Sequence, residues 1–345
     1  EAYNNGKYTI AEKQQMFPHL FNSLSVVIPV LSSTFASVGR FLKHAGNMSL
    51  GMLIIDESGQ AVPQSALGAI YRTSRAVVVG DPLQVEPVVT IPKVLIDILA
   101  DSTCVANEYK VIENSAQTFA DNINEFNGMI GERQVGCPLV VHRRCIEPMF
   151  SISNLISYDN RMFNKTNKKE EYLKPEKPFL IKKSGWINVE GVENGGKDHF
   201  VKNQAERVCQ LMEDAVHIYS DLFETDDKIF IITPFRTVAE SMRKFIIRYF
   251  SAKGYDKEIL SKWTKNCVGT VHTFQGKDAN EVLLVLGCSN KSAGAMNWVV
   301  KKANILNVAC TRAKYRIAFI GNINDWKNRR YFREFIPNLI DIINV

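Results

Sequence analysis

The chain has 345 residues, 46% of them hydrophobic, and its 42 Lys and Arg against 36 Asp and Glu give a formal net charge of +6. That length suffices for two buried cores. No apolar run reaches the roughly 18 residues needed to cross a bilayer, and no charged-then-apolar leader opens the chain, so a membrane partner is not expected and a cytoplasmic location is. The seven cysteines (Cys104, Cys137, Cys145, Cys209, Cys267, Cys288, Cys310) form no C-x-x-C pair and the six histidines no H-E-x-x-H spacing. They read as reduced thiols, against a disulfide framework or a transition-metal site. Mild basicity permits a polyanionic partner without demanding one.

In chain order, residues 1–25 are polar with little pattern, and Val26-Val27-Ile28-Pro29-Val30 is the first strand-like run. A helix candidate follows through Phe41. The runs Met52 to Ile55 and Ala76 to Val79 are short, bare and apolar, as expected of parallel strands covered by helices on both faces. Pro63 to Ala69 is a short helix between them. Pro92 to Phe126 looks mostly helical, with Val94, Leu95, Ile98 and Leu99 on one face. Gly128, Gly131, Gly136 and Pro138 then punctuate the chain and set a domain boundary at 134/135.

Asn164 to Lys183 reads as a polar surface loop and Gly185 to Val189 as a strand. Asn203 is placed to cap a helix with Val208, Leu211, Met212 and Ala215 at helical spacing. Strands are expected at Ile229 to Thr233, Val282 to Leu286 and Ile317 to Ile320. The last twenty residues read as an amphipathic helix broken at Pro337. Alternating strands and helices in both halves give an α/β fold.

Asp56-Glu57 ends the first bare strand and Gly80-Asp81-Pro82-Leu83-Gln84 the second. Ligands of open α/β sheets sit beyond the carboxyl ends of strands. An Asp there can hold Mg²⁺ and a neighbouring Glu can orient a water for attack on phosphorus. Two acids opening a helix, where the dipole favours them, account equally for the pair taken alone. Further on stand His142-Arg143-Arg144, the segment Thr270 to Lys277, and Thr311-Arg312-Ala313-Lys314.

In this order the segments resemble motifs II, III, IV, V and VI of the superfamily 1 helicases, in the 1B branch around the nonsense-mediated-decay helicase. The resemblance covers about residues 26–322. It implies two RecA-like doubly wound parallel-sheet domains, 1–134 (motifs Ic, II, III; incomplete at its N-terminus) and 135–345 (motifs IV, V, VI). ATP would be hydrolysed between them with Mg²⁺, driving 5′→3′ movement on single-stranded DNA or RNA.

By the same resemblance Asp56 holds Mg²⁺, Glu57 orients the water, Gln60 faces the nucleotide and Gln84 senses the γ-phosphate. Arg143 and Arg312 reach the triphosphate; Arg144 leaves the first of these ambiguous by one position. A planar guanidinium suits bidentate contact with phosphate oxygens. Gly276 and Lys277, with Gln275, approach ligand phosphates. Ser33, Thr34, Thr270, His272, Thr273 and Arg236 face the nucleic acid, where hydroxyls and amides contact phosphates without reading sequence. A strand-buried Thr270 and a strand-end turn at Arg236 are the plainer readings of those two.

The family's P-loop, G-x-x-x-x-G-K-[ST], has no match in residues 1–55. Gly191 to Asp198 approaches it, but Asp198 replaces the hydroxyl and would repel phosphate, so a flexible turn is the reading adopted. The expectation is a C-terminal portion of a longer motor, inactive alone. A nucleic-acid-binding scaffold that has lost catalysis is the alternative, and retention of Asp56, Glu57, Gln84 and Arg312 together counts against it.

Overall fold

The computed structural model describes residues 6–106, 109–110, 114–131, 133–166, 179–193, 195, 198–274 and 276–343. Two compact units result, Glu1–Cys137 and Pro138–Val345. The expected boundary followed residue 134; the observed one follows Cys137.

The first unit opens with α1 (Ile10–Ser25), a helix not anticipated from the sequence. Thr9 accepts a hydrogen bond from the Glu12 amide and Glu12 accepts one from the Thr9 amide, satisfying two end groups reciprocally. Phe17 is buried with Leu42 and Ala45. The expected strand at 26–30 does not form. Val26 is the C-cap of α1, the amides of Val27 and Ile28 donate back to the Leu24 carbonyl, and Val26, Val27 and Val30 are 80% or more exposed. β-branched residues favour a strand only where a neighbour offers a ladder.

After α2 (Phe35–Phe41), β1 (Leu50–Ile55), α3 (Pro63–Tyr71) and β2 (Thr73–Val78) build the expected unit. β1 and β2 pair in parallel from Leu50↔Thr73 to Ile55↔Val78. Ile55 packs with Ala66 and Ala116, and Leu53 and Val78 join them. The opposite face, with Met52 at 58%, Ile54 at 65% and Val77 at 44% exposure, is open. Coverage on both faces, expected for bare parallel strands, is therefore replaced by coverage on one.

In α4 (Lys93–Ser102) Ile96 and Ala100 are buried, whereas Val94, Leu95, Ile98 and Leu99 are exposed, so the predicted apolar face is not the packed one. α5 (Ala116–Ile123) is capped by Ser115, and β3 (Gly128–Ile130) and β4 (Arg133–Val135) form an antiparallel hairpin.

In the second unit β5 (Val141–His142) and β6 (Phe163–Asn164) pair in parallel around α6 (Met149–Ser157). Then come β7 (Gly185–Asn188), α7 (Lys202–Ile218), β8 (Ile229–Thr233), α8 (Arg236–Ser251) and α9 (Lys257–Cys267). They lead into β9 (Val268–Thr270), β10 (Ala279–Val285), α10 (Ala293–Val299), α11 (Asn304–Arg312) and β11 (Ala313–Gly321). α12 (Ile323–Trp326), α13 (Phe332–Leu339) and β12 (Asp341–Ile342) close the unit.

Six strands form one sheet in the order β12-β7-β11-β10-β8-β9, every neighbouring pair parallel. All five residues of β8 are buried, as are the hydrophobic positions of β10 and β11, which is why these strands read as bare apolar runs. α7 starts at Lys202 behind Val201, so Asn203 lies in its first turn and not at the cap. Pro337 sits inside α13 without breaking it; the helix runs on to Leu339. Much of 164–183, and Asn194, Gly196 and Lys197 of the P-loop-like segment, lie outside the described residues. Among the described residues no helix is long and apolar enough to cross a membrane.

Candidate functional site

In the first unit the two acid-ended loops meet beyond the carboxyl ends of β1 and β2. The Ser58 amide donates to the Val79 carbonyl at 3.0 Å and the Val79 amide to the Ile55 carbonyl at 2.8 Å. Two glycines allow this approach. A Cβ on Gly80 would lie 2.6 Å from Ser58 Oγ and 2.8 Å from the Gly59 nitrogen, and one on Gly59 would lie 2.8 Å from the Asp81 carbonyl oxygen.

Within this pair Asp56 and Glu57 are exposed. Glu57 has φ 52°, in the left-handed region, and its amide donates to Asp56 Oδ1 at 2.9 Å. An unfavoured backbone held beside two carboxylates marks a turn fixed by its surroundings. Gln60 Nε2 donates to Glu57 Oε2 at 3.0 Å. Asp81 folds its own loop: Oδ1 accepts from the Leu83 amide at 2.9 Å and Oδ2 from Gln84 Nε2 at 2.8 Å. Ser33 and Thr34 are exposed just before α2, Thr34 being its N-cap residue.

The supports of these loops were not foreseen. Ser58 Oγ lies 2.5 Å from Gln117 Oε1, and Gln117 Nε2 donates to Asp121 Oδ1 at 2.7 Å. Arg133 donates to the Pro82 carbonyl and to Thr118 Oγ1. Burial pulls its pKa below the ordinary arginine value, against the charges of Glu86, Asp121 and Asp81. Gln117 and Asp121 share a helix face at spacing four, a signal the sequence carried; Arg133 had none.

In the second unit, Thr233 of β8 and Thr270 of β9 are register partners, so Arg236 and the 270–277 segment both follow the carboxyl ends of adjacent strands. Arg236 is exposed and bonded to Glu240 at 2.9 Å. Thr270 and Thr273 hydroxyls lie 3.3 Å apart. His272, Thr273, Gly276 and Lys277 are exposed. Gly276 has φ +76°, which only glycine adopts freely. Gln275 lies outside the described residues.

Arg312 is 1% exposed. Its Nη1 donates to the Lys277 carbonyl at 2.9 Å and the Phe274 carbonyl at 3.2 Å, and its Nε to the Val308 carbonyl at 3.3 Å. These bonds turn Nε and Nη1 onto main-chain carbonyls. Arg143, by contrast, is exposed, beyond β5. The Ile146 amide donates to the Lys314 carbonyl at 3.3 Å, so this segment adjoins the start of β11. Lys314 is paired with Asp278 at 2.7 Å.

Family descriptions both reading "AAA domain" match residues 125–324 and residues 3–91. The chain belongs to the AAA-domain family. It is similar to "Probable helicase senataxin" of Mus musculus, 22% identical over 92% of this chain and 11% of that protein. An "Uncharacterized ATP-dependent helicase" of Methanocaldococcus jannaschii is 23% identical over 96% of this chain and 44% of its own length. "Regulator of nonsense transcripts 1" of Caenorhabditis elegans is 26% identical over 85% of this chain and 26% of its own. This AAA-domain chain thus spans less than half the length of each of these relatives. The superfamily 1B resemblance read from the motifs is borne out.

Proposed function

We propose that this chain is the motor region of an ATP-dependent nucleic-acid helicase or translocase, acting on a single strand with 5′→3′ polarity. The observation that carries this reading is the contact between the Asp56-Glu57-Ser58 turn and the Gly80–Gln84 loop, made possible by Gly59 and Gly80. It gathers two exposed carboxylates and a glutamine at the carboxyl ends of two parallel strands, where α/β sheets take their ligands.

The donor chemistry fits Mg²⁺. Asp56 offers hard oxygens, and Oδ2 accepts no hydrogen bond among the described residues. Mg²⁺ is bound through one or two carboxylates together with phosphates. When bound it would neutralise charge on the phosphate oxygens. Glu57, adjacent and exposed, orients the attacking water and accepts its proton. Gln60 holds Glu57 in place, and Gln84, tethered to Asp81, faces the terminal phosphate. In the second unit Arg143 contacts phosphate directly, and Arg312 holds the 274–277 loop from beneath and reaches phosphate. Gly276 and Lys277 lie against ligand phosphates. Ser33, Thr34, Thr270, His272, Thr273 and Arg236 contact the nucleic-acid backbone.

The 345 residues contain no P-loop, so the test uses the longest form of the protein carrying this chain. ATP turnover is measured with and without single-stranded nucleic acid, in wild type and Glu57→Gln. Stimulation by the strand, with turnover lost in the variant, is expected. Turnover unchanged by Glu57→Gln would overturn the assignment.

A further inference from the structure

Far from the acid-ended loops in sequence, three residues with metal-ligating atoms converge. Glu193 follows β7, His199 precedes α7, and Cys288 follows β10. One ligand atom of each lies within 4.8 Å of the other two, the only such trio among the described residues. We propose that Glu193, His199 and Cys288 form a binding site for a divalent transition-metal ion of the zinc class, its fourth position open to water.

The backbone builds this convergence. Glu193 and Val201 form an antiparallel bridge, turning the chain back so that His199 stands beside Glu193. The Cys288 amide donates to the His199 carbonyl at 2.9 Å, binding the loop to the end of β10. His199 is held at φ 56°, an uncommon conformation for a residue with a side chain. Gly287, at φ +61°, lets the two segments meet: a Cβ there would lie 2.7 Å from the His199 carbonyl oxygen. Gln204 accepts from the Gly287 amide at 2.9 Å and fixes the same turn.

The side chains are enclosed and supported. Glu193 is 4% and His199 21% exposed at the side chain, and Cys288 is 2% exposed. Glu193 Oε1 accepts from the Ser289 amide at 2.6 Å, and Oε2 from Ser292 Oγ at 2.7 Å. His199 Nδ1 stands 3.4 Å from Oε2, and its ring packs on Phe235 at 4.8 Å between centroids. Orientation of a ligating carboxylate by hydrogen bonds from outside is the usual support of a metal site.

Thiol, imidazole and carboxylate together suit zinc and neighbouring transition ions better than Mg²⁺ or Ca²⁺. Ligand atoms around a tetrahedral Zn²⁺ stand roughly 3.3–3.8 Å apart. Donors already within 4.8 Å of one another stand within about 1.5 Å of that spacing. The sequence concealed the trio because Cys288 lies 89 residues beyond His199 and the Glu193–His199 spacing matches no metal-ligand motif. The trio shares no residue with the proposed Mg²⁺ position at Asp56.

The test is a titration of the whole metal-free, reduced chain with Co²⁺ alone, followed by displacement with Zn²⁺. One equivalent of Co²⁺, a tetrahedral spectrum and a sulfur-to-cobalt charge-transfer band are expected. Cys288→Ser removes that band, and His199→Gln weakens binding by roughly tenfold or more, the loss seen even for supporting contacts. Cys209→Ser, a buried cysteine outside the trio, leaves both unchanged. No stoichiometric complex, a wild-type spectrum without the sulfur band, or a band retained in Cys288→Ser would each overturn the proposal. The wild-type spectrum decides even if a variant folds poorly.

Discussion

Arg133 donates from Nη1 to the Pro82 carbonyl at 2.9 Å, tying the loop after β2 to the hairpin that ends the first unit. Its Nη2 holds Thr118 Oγ1 at 2.8 Å, so one guanidinium links loop, hairpin and α5. A hydrogen bond from a charged donor contributes about 1.5–3 kcal/mol. Arg133→Ala should therefore lower stability by about 2 kcal/mol and raise hydrogen exchange at the Leu83 and Gln84 amides. Arg133→Lys should recover only part, because it cannot span both acceptors. Unchanged exchange at 83–84 would mean the loop is held by Asp81 alone.

Gly80 and Gly59 test the contact between the loops themselves. Alanine at 80 would press on Ser58 Oγ and the main chain of Ser58 and Gly59, which cannot swing aside. Overpacking of this kind costs about 1–3 kcal/mol. Gly80→Ala should destabilise the first unit by that amount and abolish ATP turnover in the intact protein. Gly68→Ala is the control, since its nearest neighbour is the Arg72 side chain at 3.4 Å. Equal effects of the two would dissociate the contact from activity.

Much of the second unit was legible because its central strands are buried on both faces, and a bare run as short as Ile229–Thr233 suits such a strand. The first unit was harder to read. Val26 to Val30 has strand composition but no partner strand, whereas α1 carried a readable cap, Thr9 with Glu12, beneath an unpatterned surface. Motif spacing located Asp56, Glu57 and Asp81 because they adjoin strand ends. It could not locate Arg133 or the Glu193–His199–Cys288 trio, whose partners are set by tertiary folding. Nor could it foresee that Arg312 would turn its guanidinium onto main-chain carbonyls.

The two arginines proposed for phosphate chemistry should separate cleanly. Arg312→Ala takes the guanidinium donor from the part-buried Lys277 carbonyl, at about 1–3 kcal/mol, and one of two donors from the Phe274 carbonyl, which keeps the Lys277 amide. A loss of about 2 kcal/mol in the second unit's stability is expected. Arg143 is exposed, so Arg143→Ala should change stability by no more than about 0.5 kcal/mol while reducing turnover in the intact protein. If Arg143→Ala left turnover intact, Arg144 would be the next residue to substitute.

Glu281 makes the second unit's stability depend on pH. It is fully buried in β10, accepting from the Leu180 and Ile181 amides and from Tyr219 Oη at 2.6 Å. Burial outweighs those bonds and raises its pKa to about 7, from an ordinary 4.5. Below pH 4.5 the carboxyl is protonated in folded and unfolded chains alike. Between 4.5 and 7 the unfolded chain releases the proton and the folded chain keeps it, so stability falls as pH rises. The fall totals about 3 kcal/mol and levels off above pH 7. Glu281→Gln should remove this component of the slope in denaturant titrations at pH 5, 6, 7 and 8. A slope identical to wild type would place the titration elsewhere.

The two sheets should also differ in how they open. β1 and β2 form a two-stranded sheet with Met52, Ile54 and Val77 uncovered on one face, whereas β8, β10 and β11 lie inside a six-stranded sheet with every hydrophobic side chain buried. Local opening free energy follows the apolar contact that must be broken. Laddered amides of β1 and β2 should therefore exchange at least about a hundredfold faster than those of Ile231, Leu283 and Phe319 under native conditions. The first unit would then open locally without unfolding the second, as separate cores require. Equal protection would mean that the Met52–Ile54–Val77 face is closed in solution, and the one-sided packing of β1 and β2 would have to be abandoned.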